Sequence, residues 1–143
     1  MALLNETVRN QLRPMLEGLP RDVELHLYRG PDAEAGDLMA ALLSEMVEVG
    51  PRLRLVEVAQ APEVEPGRQS AAQLEGPVLS VAAAGEPDSR VRFLGITGGH
   101  EFGALIAAIQ HAAAGSAELK PKSVESLSGL GHRVHIQVFT TPT

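Results

Sequence analysis

The sequence predicts an α/β fold: a four-stranded mixed sheet with helices on both faces, followed by the opening helix and strand of a second unit. Three observations carry this. Apolar residues recur at helical spacing before and between two short Leu- and Val-rich runs, the pattern of a parallel βαβ unit. Turn chemistry over 84–89 then folds two further runs into an antiparallel hairpin ahead of a closing helix. After Gly115-Ser116 the order helix-then-strand begins again.

Each element has a local reason. Asn5 is placed to cap a helix over about 6–17, whose apolar face is Leu4, Val8, Leu12, Met15 and Leu16. Pro14 is expected to kink or shorten its last turn, and Gly18 and Pro20 end it. Val23 to Tyr28 alternates as a strand. Gly30-Pro31-Asp32 is a turn, with Asp32 capping a helix over 33–49 whose expected buried stripe is Leu38, Leu42, Leu43, Met46 and Val49. Gly50-Pro51 stops it, and Arg52 to Val58 is a second strand. Residues 59–67 read as an exposed loop with Glu57, Glu63 and Glu65 at its solvated edge, and 68–74 as a short helix. Gly76-Pro77 opens a strand over 78–83, and Arg90 to Leu94 returns antiparallel to it. Gly95 to Gly99 is a connecting turn, lacking the lysine of a phosphate loop and the spacing of a dinucleotide loop. Phe102, Leu105, Ile106 and Ile109 line a helix over 101–114. Residues 1–116 therefore form one unit. In 117–143, a helix over 121–130 and a buried strand over 134–139 open the second, a partial internal repeat.

Composition narrows the function classes. The chain has 143 residues, 44% of them hydrophobic, enough to bury a core. Only Tyr28, Phe93, Phe102 and Phe139 are aromatic, so the core rests on Leu, Val, Ile and Ala. A net charge of −6 without a basic, aromatic-laced patch argues against nucleic acid. No apolar run is long enough to span a membrane, and the N-terminus lacks the pattern of a signal peptide. A cytoplasmic location is the expectation. No cysteine is present, which excludes thiol chemistry by this chain alone and any Cys-based zinc site. His26, His100, His111, His132 and His135 form no zinc pattern, and no cofactor is implied. Ser123, Ser126 and Ser128 have no His and acid in a known arrangement and read as helix surface.

Two segments resemble a known family. Arg92-Phe93-Leu94-Gly95 followed by Gly99-His100-Glu101-Phe102 resembles a motif of tandem proteins with thioredoxin-like folds. These are the protein disulfide oxidoreductases, or glutaredoxin-like proteins, and the N-terminal region of the alkyl hydroperoxide reductase flavoprotein subunit. The ending Val138-Phe139-Thr140-Thr141-Pro142-Thr143 is similar to the oxidoreductase sequence just before the second unit's Cys-x-x-Cys.

The resemblance implies a thioredoxin-like, redox-inactive first unit that scaffolds a Cys-x-x-Cys unit following Thr143, in cell redox homeostasis. The first-unit Cys-x-x-Cys position is vestigial, falling on Ala33 to Gly36. Gly76 and Pro77 take the place of the substrate groove, where these folds carry a cis proline. A trans proline at a strand's first residue is the ordinary alternative. Glu101 is implied as an acid–base group for the neighbouring dithiol, since exchange needs the resolving thiol deprotonated. Its bland alternative is a first-turn glutamate stabilised by the helix dipole. His100 is expected to cap that helix or bond to the loop. The implied partners are the second unit and a flavin or thioredoxin-type reductase. The alternative is a stand-alone interaction domain that forms a homodimer by pairing the apolar strand over 134–139 in trans.

Overall fold

Two capping side chains start the first two helices. Asn5 Oδ1 accepts from the Val8 N–H at 2.9 Å and opens α1 (Glu6–Glu17). Asp32 Oδ1 accepts from the Ala35 N–H at 3.1 Å and opens α2 (Ala33–Val49). Each bond satisfies a first-turn donor that has no partner within the helix. The structure is a computed structural model that describes residues 2–61, 75–86 and 90–140. Its remaining elements are β1 (Val23–Tyr28), β2 (Leu53–Glu57), β3 (Val78–Ala83), β4 (Arg92–Leu94), α3 (Glu101–Ala114) and α4 (Pro121–Ser128).

The strands form one mixed sheet in the order β2-β1-β3-β4. β1 and β2 are parallel, while β3 is antiparallel to both β1 and β4. Register places Leu25 beside Leu55 and Val81, and Leu27 beside Leu79. Paired residues share a face, so Val23, Leu25, Leu27, Leu79 and Val81 point one way. They join Leu12 and Leu16 of α1, Met39, Leu43 and Met46 of α2, and Leu105 and Ile109 of α3 in one core cluster. β3, one of the two inner strands, is buried at every position. Arg21 closes the far end of α3, donating to the carbonyls of Ala112 and Ala113 at 3.0 and 2.9 Å. The helix expected over 68–74 and the loop with Glu63 and Glu65 lie outside the described residues.

Several expectations need correction. Pro14 does not break α1, which continues to Glu17. Leu38 and Met15 are exposed, and Met39 and Ala40 take Leu38's expected place in the core. Leu42, Leu43, Met46 and Val49 are buried as expected; only at the N-terminal end does the all-apolar run Leu38-Met39-Ala40 let a neighbour take the core position. Glu57 is exposed as expected, but it ends β2 rather than edging a loop, and it accepts two bonds from Arg29. No cis peptide bond occurs among the described residues, so the Gly76–Pro77 bond is trans. A proline at this position, just before β3, has no N–H to lose from the ladder.

The second-unit expectation is met only by its helix. α4 has no buried residue, and Val124, Leu127 and Leu130 are exposed. No strand forms over 134–139, where Ile136, Val138 and Phe139 are 80%, 80% and 88% exposed. A strand requires a hydrogen-bonded neighbour, and no described segment supplies a ladder for this one.

Candidate functional site

One end of the sheet gathers Ala33, Gly36, Gly76 and Pro77, four of the residues singled out from the sequence. β1 leaves there at Tyr28, β3 enters at its partner Val78, and β4 ends at Leu94, which pairs with Val78. The chain leaving β1 turns through Gly30, whose φ of +76° suits glycine. A Cβ on Gly30 would lie 2.5 Å from the Gly76 carbonyl oxygen. Just beyond, the Asp32 N–H donates to the Glu75 carbonyl at 3.1 Å, and the Gly95 N–H donates to the Pro77 carbonyl at 2.8 Å. The first turn of α2 and the Gly76-Pro77 segment are therefore adjacent.

The arrangement is closed rather than open. Gly36 packs so tightly that a Cβ there would meet the Arg29 carbonyl oxygen at 2.7 Å and the Arg29 Cβ at 2.9 Å. Arg29 is itself fixed by Glu57, through Nε at 2.9 Å and Nη2 at 2.6 Å, and by Asp37 at 2.6 Å. The hydrogen bonds and charge of Arg29 hold the Glu57 carboxyl below its ordinary range. Ala33 is exposed, and neither Ala33 nor Gly36 carries a group that can attack a disulfide. The Glu75 carbonyl, next to Gly76, accepts from the Asp32 N–H and ties this strand entry to the first turn of α2.

Glu101 lies apart from this closed turn, in the first turn of α3. Gly99, at φ +61°, folds the chain so that the Phe102 N–H bonds to its carbonyl at 3.3 Å. His100 holds the N-cap position but makes no side-chain cap bond, contrary to expectation; its backbone is already helical there. Phe102 is half-buried and packs against the core. That leaves the Glu101 carboxylate, itself half-buried, facing the C-terminal segment, where its Oε1 accepts a hydrogen bond from the Thr140 hydroxyl. Sequence reasoning did not single out Thr140 or Arg29, because neither lies in a spacing pattern.

An open apolar groove of about 370 Å³ runs between α1 and α3, lined by Val8, Leu12, Met15, Phe102 and Ile106 among others. No titratable side chain lines it, so it offers no acid–base chemistry. Among the described residues no cluster of three or more His, Asp or Glu is placed to hold a metal, and no helix is long and apolar enough to cross a membrane.

Comparison with known proteins gives this geometry its context. No protein-family profile matches the chain. It is 28% identical over 141 residues to the F component of alkyl hydroperoxide reductase in Staphylococcus epidermidis, and likewise to that of Staphylococcus aureus. Each alignment covers 99% of this chain but 25% of the relative, so the chain spans about a quarter of the curated relatives it matches. The NTD_N/C domain of alkylhydroperoxide reductase from Enterococcus faecalis superposes with a TM-score of 0.69 at 18% identity, over 87% of this chain and 59% of that one. A cysteine-to-alanine mutant of the F component in the same organism gives 0.72 at 19%, over 89% and 61%. The fold is thioredoxin-like, and the chain is similar to the N-terminal region of the flavoprotein subunit, one of the two families its motifs resemble.

Proposed function

We propose that this chain is the redox-silent, thioredoxin-like first unit of a peroxide-reducing thiol–disulfide system, and that it scaffolds a Cys-x-x-Cys unit continuing beyond Thr143. The observation that carries this reading is the similarity of nearly the whole chain to the F component of alkyl hydroperoxide reductase, 28% identical over 141 residues. The closed turn around Gly36 and Glu75 supports the silent role of the first unit.

In this reading a thiolate of the second unit attacks a substrate disulfide, forming one S–S bond as the other breaks. The resolving thiol gives its proton to Glu101, and the resulting thiolate closes the unit's own disulfide and expels the second substrate thiolate. That thiolate takes up the proton. Two electrons pass to the substrate, and a flavin reductase region using pyridine nucleotide resupplies them. The setting is the cytoplasm.

The test begins with the codons after Thr143. Cys-x-x-Cys there, followed by a dithiol turnover whose pH profile changes in Glu101→Gln, supports the proposal. A stop codon, or a pH profile untouched by the substitution, removes it. The isolated cysteine-free chain is expected to show no dithiol turnover.

A second reading rests on the exposed apolar run Ile136, Val138 and Phe139. In this reading the chain is an interaction domain that forms a homodimer by strand exchange. Light scattering that shows a monomer at high concentration excludes it.

A further inference from the structure

We infer that Met15 is an oxidation site: a hydroperoxide converts its thioether to the sulfoxide in the folded protein, and the Gln11 and Gln110 carboxamides hold the new oxygen in the groove between α1 and α3. This goes beyond the function proposed above and does not rest on it. The methionine sulfurs lie in two different settings. Met39 and Met46 are fully buried, and the Met39 sulfur accepts a hydrogen bond from the Thr97 hydroxyl at 3.5 Å. Met15 belongs to the apolar face of α1, yet it is 40% exposed and lines the open groove. Among the described residues it is the methionine that a dissolved oxidant reaches without opening the core.

The groove suits the product as well as the attack. On its α3 side a Cβ added to Gly103 would meet nothing within 4 Å, so there is space for one more oxygen. The polar side chains that line it are Gln11, one turn before Met15 on the same face of α1, and Gln110, across the groove on α3. A carboxamide NH2 donates, and a sulfoxide oxygen accepts. In the reaction the sulfur lone pair attacks the terminal oxygen of the hydroperoxide. An S–O bond forms as the O–O bond breaks, and the sulfur loses two electrons. The peroxide departs as an alcohol, or as water from hydrogen peroxide, carrying the proton of the transferred oxygen. The change makes an apolar side chain polar at a rim position, where it disrupts no core packing.

With no cysteine in the chain, added peroxide has no thiol to consume it. Trypsin separates the sulfurs: Met15 falls in peptide 10–21, Met39 and Met46 together in 30–52, and Met1 in 1–9. The folded chain is treated with tert-butyl hydroperoxide, and its peptides are weighed over time. Peptide 10–21 should gain one oxygen at least about tenfold faster than 30–52, whose oxidation waits on opening of the core. In urea that preference should be lost. Oxidation should also shift the side-chain amide signals of both Gln11 and Gln110. Met15→Leu, a volume-conserving change, should abolish the uptake in 10–21 and both shifts while keeping the native backbone amide spectrum. Equal rates for the two peptides in the folded chain, or a sulfoxide that leaves either glutamine signal in place, overturn the proposal. The readout needs no dithiol, so it can fail while the redox reading stands, and the reverse.

Discussion

The Cα of Gly36 lies so close to Arg29 that a methyl group there would meet the Arg29 carbonyl oxygen at 2.7 Å. The atoms met are Arg29 backbone and Cβ, which cannot swing aside as the tip of a flexible side chain could. If Ala33 to Gly36 is the place of a first-unit dithiol, as the resemblance implies, that place is sterically closed at Gly36 as well as empty of sulfur. The double variant Ala33→Cys/Gly36→Cys should not regain disulfide exchange, and overpacking should lower its stability by about 1–3 kcal/mol. Thermal denaturation together with a disulfide-reduction assay checks both halves. A fully stable and active variant would show that the closure is absent.

Gly30 is held by a similar contact on the opposite side of the same turn. Its φ of +76° disfavours a side chain, and a Cβ would press on the Gly76 carbonyl oxygen at 2.5 Å. Gly30→Ala should cost at least about 1–2 kcal/mol from the left-handed conformation alone. Gly85 offers the control, with φ +77° but nothing near its Cβ. Denaturant titration should find Gly30→Ala clearly worse than Gly85→Ala, and equal losses would refute the close approach.

Acid should loosen the N-terminal strap before the core. Glu45 accepts from the Leu3 and Leu4 N–H groups at 2.7 and 2.8 Å and from Arg9 at 2.9 Å. These bonds, the backbone ones foremost, lower its pKa from the ordinary 4.5. A carboxyl depressed in the folded state contributes its full stability above the unfolded value, and loses it as pH falls through the folded one. The same sign holds for Glu57 beside Arg29. Stability should therefore decline below about pH 4.5, with the decline reduced in Glu45→Gln. Urea midpoints at pH 7 and pH 3 for both proteins test it.

Leu43 and Leu38 separate the two faces of α2. Leu43 is fully buried, whereas Leu38 is 39% exposed. Leu43→Ala should cost about 2–5 kcal/mol through lost burial and a cavity. Leu38→Ala should cost much less, within about 1 kcal/mol. Equal losses would mean that the stripe runs through Leu38 after all.

Capping residues were legible because the signal and its effect are a few residues apart: Asn5 and Asp32 bond within their own first turns. The strands of the sheet were legible because period-two burial leaves its mark on Val23, Leu25 and Leu27. Most of the α2 stripe was legible too, from Leu42 to Val49; its start was not, since Leu38, Met39 and Ala40 are apolar at consecutive positions and either Leu38 or Met39 satisfies the pattern. Val134 to Phe139 reads as a strand by composition, yet pairing is a property of two segments and cannot be read from one.

The same division runs through the site. By itself the sequence determined that this chain performs no thiol chemistry, that it builds a mixed α/β sheet on an aliphatic core, and that Gly99-His100-Glu101-Phe102 opens a helix. Only the tertiary structure decided that Gly36 is closed against Arg29, that Glu75 is engaged by Asp32, and that Glu101 meets Thr140. The physical reason is sequence distance. A cysteine count or a helix cap is written locally, whereas contacts across tens of residues exist only once the sheet has fixed where each turn and helix terminus lies.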